Sequence, residues 1–259
     1  MSACSAVTKA GFPCKRIALF TQDDALFCSS HSDKARRQKI VAVPVVVELW
    51  QEAAVLNTRS GQRGMLLCAR LSYGGVSNRD VRFLRVFPNH KHQERSDGFG
   101  CSSLSPMSLP VPYEATSLEN YYQGSKKFSH ESWEEYLVSR SRIFSDPTPH
   151  RHKYRRGMKP QCSYYINRQG ALQAYDYLSS RYFYCRWYEV LTRRNEDLQR
   201  LRELREKGVN LMLCGYDSSP DLTVENAWEK YHDLSTPFGH ESVLFCLLSI
   251  ENIADYPWT

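Results

Sequence analysis

The residues best suited to chemistry lie together in one short stretch. Ser117-Leu118-Glu119-Asn120-Tyr121-Tyr122-Gln123-Gly124-Ser125-Lys126-Lys127-Phe128 holds a carboxylate, two amides, two tyrosines and a lysine. Ser117 is a natural N-cap, so the stretch predicts a helix through Phe128. Helical spacing then sets Glu119 and Gln123 on one face, with Asn120 beside them and Lys126 three residues past Gln123. A carboxylate so placed can act as a general base or stabilise a cationic sugar. Asn120 and Gln123 can hold a base or a ribose by paired hydrogen bonds. Lys126 can meet a phosphate, and Tyr121 and Tyr122 can stack on a planar ring. The plain alternative is a capped amphipathic helix, with Glu119 on the helix dipole, Tyr122 and Phe128 in the core and Lys126 in solvent. The Gly-, Ser- and Pro-rich segment before it, Gly98 to Met107 and on to Pro112, includes Ser105 and weighs against that alternative.

A second constellation lies near the C-terminus. Leu211-Met212-Leu213-Cys214-Gly215-Tyr216-Asp217 reads as a buried strand that ends in a flexible turn and a carboxylate. Asp217 is there either a catalytic group at a strand end or a turn cap. Thr236-Pro237-Phe238-Gly239-His240-Glu241 then opens a helix with Pro237 near its first turn. The backbone amides around Gly239 can receive a phosphate, and His240 can serve as acid, base or substrate ligand.

Cys4, Cys14, Cys28 and His31 follow the spacing C-x9-C-x13-C-x2-H, with Thr8, Gly11 and Pro13 between them. Four N/S ligands suit a closed tetrahedral zinc site, and so short a segment needs such a staple to fold. This predicts a structural zinc module over residues 1–38, followed by a main domain over 39–259. The nine cysteines are odd in number and irregularly spaced, and no secretory signal precedes them, which points to reduced thiols and a cytoplasmic or nuclear setting. No run approaches the length of a membrane span. The net charge of +6 is concentrated in Lys34–Lys39 and in His150-Arg151-His152-Lys153-Tyr154-Arg155-Arg156. Such clusters favour polyanions, including DNA or RNA, and Arg155 is the candidate contact of the denser one.

Certain elements must position these groups. Ile40–Trp50, Gly64–Tyr73 and Val81–Phe87 read as strands, with a turn at Asn57–Arg63. His130–Phe144 reads as a helix. Arg168 to Lys207 is helix-like throughout, with a break near Tyr182. Val209–Cys214 is a late strand, and Val224–Asp233 and Phe238–Ile250 are the last helices. The order, strands first and helices after, predicts an α+β domain, mainly helical around a small sheet.

At Ser117–Phe128 the chain resembles the NADAR superfamily, whose members carry Thr/Ser-x-Glu-His/Asn-Tyr/Phe-Tyr/Trp-Gln-x-x-Lys-x-Phe. The resemblance spans about Gly98 to Ile250. It implies a NADAR-like fold and cleavage of an N-glycosidic bond between a nitrogen base and an ADP-ribosyl or ribosyl-phosphate group, ADP-ribosylated guanine included. It assigns Glu119 as the main catalytic carboxylate and Gln123 and Lys126 to the ribose-phosphate pocket. The family often has His where this chain has Asn120. Its C-terminal Trp-Gly and Gly-x-Asn-x-Leu-Gly segments have no clear copy, and Gly215-Tyr216-Asp217 with Pro237–Glu241 are the candidates for their place. The expected site is thus Glu119, Asp217 and His240 for catalysis, with Ser105, Asn120, Tyr122, Gln123, Lys126, Gly215, Tyr216, Gly239 and Arg155 around the substrate. Two other readings use the same residues. One is a zinc-containing module that binds nucleic acid or ADP-ribose without turnover. The other is a DNA glycosylase-like enzyme acting on a flipped, modified base.

Overall fold

The computed structural model describes residues 45–72, 75–89, 98–112, 114–148 and 160–259, together with three short strands nearer the N-terminus. The chain divides into two units, Met1–Val45 and Val46–Thr259. In the first, β1 (Phe20–Gln22) pairs antiparallel with β2 (Ala25–Phe27) on one side and β3 (Gln38–Lys39) on the other. The four expected zinc ligands, Cys4, Cys14, Cys28 and His31, lie outside the described residues, as do Arg155 and both basic clusters apart from the backbone at Lys39.

The second unit is an α+β structure built on two sheets. It begins with α1 (Val45–Arg59), followed by β4 (Leu66–Ser72), β5 (Gly75–Val76), β6 (Leu84–Phe87) and β7 (Gly98–Gly100). A one-turn 3-10 helix at Ser102–Leu104 leads to α2 (Leu118–Gly124), β8 (Lys126–Phe128) and α3 (Trp133–Ser145). Then come β9 (Pro160–Ile166), β10 (Leu172–Tyr175), α4 (Tyr177–Thr192), α5 (Glu196–Glu206), β11 (Leu211–Gly215), α6 (Ala227–His232) and α7 (His240–Ser249).

The larger sheet runs β5-β4-β11-β6-β7. The late strand β11 enters its centre, parallel to β4 and to β6, and β6 is parallel to β7. Only β5 is antiparallel, at the edge. Every residue of β11 is buried. Leu211 and Leu213 face one core with Leu66, Cys68 and Val86, whereas Met212 and Cys214 face another with Ala69, Leu71 and Phe87. A strand buried on both faces must read as a continuous apolar run, as this one does. The four parallel strands end on one edge of the sheet, and α7 packs on β4 and β11 there. The second sheet, β10-β9-β8, is antiparallel.

Several expected elements change. The segment read as a strand through Trp50 is helical from Val45, and the helix continues through Asn57–Arg59 where a turn was expected. Its β-branched run suggested a strand, but the helix starts directly after Pro44, where the missing N–H costs nothing. The helix from Ser117 stops at Gly124, and Lys126–Phe128 turns into β8. A side chain on Gly124 would lie 2.6 Å from the Phe144 ring, so glycine lets α2 and α3 approach. Residues 168–207 contain β10, and the break falls at 193–195, where Asn195 caps α5, rather than at Tyr182. The order is therefore not strands first and helices after.

Candidate active site

The Gly-, Ser- and Pro-rich segment serves as a cradle for α2. Leu118 N–H donates to Leu109 O at 2.9 Å, Glu119 N–H to Pro106 O at 3.0 Å and Asn120 N–H to the Ser117 hydroxyl at 3.1 Å. The amides of the first turn are thereby satisfied by the protein itself. Ser105 is buried in this cradle, and its hydroxyl accepts from Met107 N–H at 3.3 Å.

Glu119, Gln123 and Lys126 form one connected row. Gln123 Nε2 donates to Glu119 Oε1 at 2.9 Å, and Lys126 Nζ donates to Gln123 Oε1 at 2.9 Å. The orientation of the amide is dictated by chemistry: an ammonium only donates and a carboxylate only accepts. Glu119 and Lys126 are both buried, at 9% and 7% exposure. The Lys126 ammonium also sits 3.7 Å from the centre of the Tyr122 ring, a cation–π contact. Glu119 Oε2 makes no hydrogen bond among the described residues.

The strand-end residues converge on a second carboxylate. His240 and Glu241 open α7, and the Glu241 side chain is 1% exposed. Any side chain on Gly215 would run into the Glu241 carboxyl group, and one on Gly239 would come within 3.0 Å of it. Asp217 also borders Gly239, its Cβ 3.1 Å from the place a side chain there would take. The two glycines thus leave the space that Glu241 fills. His240 Nε2 meets Pro88 O at 2.8 Å, and its Nδ1 lies 3.3 Å from Glu241 Oε2. A carbonyl only accepts, so Nε2 carries a proton in this arrangement. Pro88 directly follows β6, and Asn89 Nδ2 donates to Cys214 O at 3.1 Å, which ties the ends of β6 and β11 together.

An aromatic row on α4 joins the two groups. Ring centres run Tyr122 to Tyr184 at 4.7 Å, Tyr184 to Tyr188 at 6.4 Å and Tyr188 to His240 at 6.0 Å. Burial pushes the Tyr184 phenol well up, and Glu119, Tyr188 and Glu241 push it further. Tyr188 is pushed up by burial, Glu241 and Cys101, and its hydroxyl donates to Leu104 O at 2.7 Å. The aromatic row thus runs from the group of Glu119, Gln123, Lys126 and Tyr122 to the group of His240, Glu241, Gly215, Gly239 and Asp217. The second group lies at the carboxyl ends of the parallel strands β6 and β11, the edge at which open sheets of this kind place ligands.

Other expected site residues point elsewhere. Asn120 turns away from Gln123, donating to Thr116 Oγ1 at 2.6 Å and to Asp146 O at 2.9 Å. Tyr121 stacks between Phe144 and Phe183, in the core. Tyr216 is 47% exposed on the turn after β11. Sequence reasoning passed over Glu241, Tyr184 and Tyr188. Glu241 adjoins a nominated histidine, and the two tyrosines are four apart on one helix face, yet nothing local tells such a pair from core. Among the described residues no group of three or more His, Cys, Asp or Glu is arranged to hold a metal, and no helix is long and apolar enough to cross a membrane. No family model, curated protein or solved structure matches the chain.

Proposed function

We propose that the protein is a hydrolase that cleaves the N-glycosidic bond between a nitrogen base and the ribose of an ADP-ribosyl or ribosyl-phosphate group. The observation that carries this reading is the row of Glu119, Gln123 and Lys126. It holds a nearly buried carboxylate by one oxygen and leaves the other without a hydrogen bond among the described residues. The resemblance of Ser117–Phe128 to the NADAR helix supports it independently. As the C1′–N bond breaks, its electron pair leaves on the base and positive charge builds on the sugar. Glu119 Oε2 faces that charge or takes a proton from the attacking water, whose oxygen bonds to C1′. The proton then passes to the departing base, so that one water is consumed and Glu119 returns to its carboxylate form. Asp217 and His240 flank the other side as partners to the base or the water. Fixed charge in a site largely closed to solvent supplies most of the rate enhancement.

Incubation with ADP-ribosylated guanosine, followed by mass spectrometry, tests the reading. The expected products are ADP-ribose and guanosine. Glu119→Gln keeps the shape and the Gln123 contact but removes the charge, and turnover should fall by about 100-fold or more. Binding of ADP-ribose, measured by calorimetry, should persist. An unchanged rate in the variant removes Glu119 from its role, and absence of product from the wild type removes the reading.

A further inference from the structure

The buried face of α3 carries Tyr136, Arg140 and Phe144, spaced four apart, so a guanidinium stands in the middle of a packing face. Among the described residues three arginines are buried, Arg140, Arg181 and Arg205. Two of them spend their N–H groups on carbonyls. Arg181 donates to Tyr231 O, Asp233 O and Thr236 O, and Arg205 to Gly64 O and Leu248 O. Arg140, 8% exposed, differs. Its Nη1 lies 3.5 Å from Glu114 Oε2, whereas its Nε and Nη2 are buried and have no hydrogen-bond partner among the described residues. The Phe144 ring lies against the guanidinium, its centre 4.0 Å from Cζ. A ring in that position attracts the charge but satisfies no N–H group at the edge.

We propose that the Nε–Nη2 edge of Arg140 is an anion site, which takes one phosphate or carboxylate group through two parallel hydrogen bonds. The covalent shape of the side chain argues for this. Nε and Nη2 stand on one edge of the planar guanidinium with their N–H bonds side by side, the fork that meets two oxygens of a single oxyanion. The bare atoms are these two and not a scattered pair. Leaving them bare in the interior is costly, because the group is charged as well as polar. The carboxylate at hand does not fill the fork, since Glu114 is 65% exposed and pairs with Nη1 alone. One oxyanion supplies both missing bonds and a countercharge inside the protein. The place is distinct from the row of Glu119. Phe144 stacks on Tyr121, and helical geometry turns Tyr121 away from Glu119, Tyr122 and Gln123 on α2. The inference therefore stands apart from the hydrolase reading.

The fork is closed to bulk water, so an anion enters as the covering side chains move, and the test allows overnight equilibration. The full chain is dialysed to equilibrium against radiolabelled inorganic phosphate and, separately, radiolabelled acetate, at constant ionic strength in sodium chloride. Wild type should bind at least one of them saturably, and the one it prefers names the group. Arg140→Lys keeps the charge and loses the fork, and should weaken that binding by about tenfold or more. Arg142→Lys, exposed on the same helix, should leave it unchanged. Binding of neither anion overturns the inference, and the fork is then served by water. Equal binding in wild type and Arg140→Lys also overturns it, because the anion then sits on other basic groups. Should Arg140→Lys fail to fold, NMR of the wild type decides. The Arg140 Nε–H signal, assigned through its backbone, should move downfield and saturate as phosphate or acetate is added, and a signal that stays in place overturns the inference.

Discussion

At the scale of single residues, the amides of Asn120 and Gln123 show how position divides labour. Both stand on α2, one residue-type apart in length and less than a turn apart in angle. Asn120 is 1% exposed and anchors the helix to Thr116 and to the carbonyl of Asp146 at the end of α3. Gln123 instead connects a cation to a carboxylate. Gln123→Met preserves volume and removes both bonds. It should lower turnover by about tenfold or more, because Glu119 and Lys126 lose their common anchor, while urea denaturation should show a cost of only about 1–2 kcal/mol. Equal turnover in the variant would mean that the row is decoration on a packed helix. Asn120→Ala should show the reverse balance, its effect falling on stability through the loss of the bonds that tie α2 to Thr116 and to the end of α3.

At the scale of elements, the start of α7 is placed by a residue far from it in sequence. Arg181, on α4, is 2% exposed. Its Nη1 donates to Tyr231 O at 2.5 Å and Asp233 O at 3.0 Å, and its Nη2 to Thr236 O at 2.7 Å. These carbonyls end α6 and lead into Pro237, Phe238 and Gly239. Arg181→Met leaves them bare and should cost about 2–4 kcal/mol in denaturant. It should also raise hydrogen exchange at the amides of His240 to Val243, and a variant of wild-type stability with unchanged exchange there would refute the placement. Legibility in the sequence follows the same division between local and distant. The row of Glu119, Gln123 and Lys126 was visible because its contacts are three and four residues apart, and it survives although Lys126 stands in β8 rather than in the helix. The hairpin of β9 and β10 was hidden by its neighbours' helical pattern. Its turn, Asn167 to Gly170, did carry a signal in Gly170, whose φ is +79°. Tyr184 and Tyr188 could not be read as site residues, since only the packing of α4 beside α2 and α7 gives them neighbours.

At the scale of the whole molecule, the core stores protons. Cys68, Cys101, Cys185 and Cys246 are reduced, buried thiols, and Tyr184 and Tyr188 are buried phenols. Burial is the first cause of the upward push on each, with Cys101 and Cys246 raised to about 12. The folded chain holds these protons where an unfolded chain would release them, at about pH 8.5 for thiols and about pH 10 for phenols. A raised folded value means that the contribution is fully present below those points and is lost as pH rises through them toward the folded values. The acid side has the opposite sign. Asp80, held low by its hydrogen bond to Arg82, and Asp221, held low by Lys230, add stability only above about pH 4, and both sit near solvent where such pairs contribute little. The molecule should therefore tolerate mild acid better than mild alkali. Raising the pH from neutrality should bring one steep loss of helical circular dichroism, and with it a late step of tyrosinate absorbance and thiol reactivity from the buried groups, after the exposed tyrosines have titrated in the ordinary range. If all the tyrosines titrated near pH 10 with the helices intact and no late step remained, Tyr184 and Tyr188 would reach water freely, and the tight packing of α4 against α2 and α7 would be refuted.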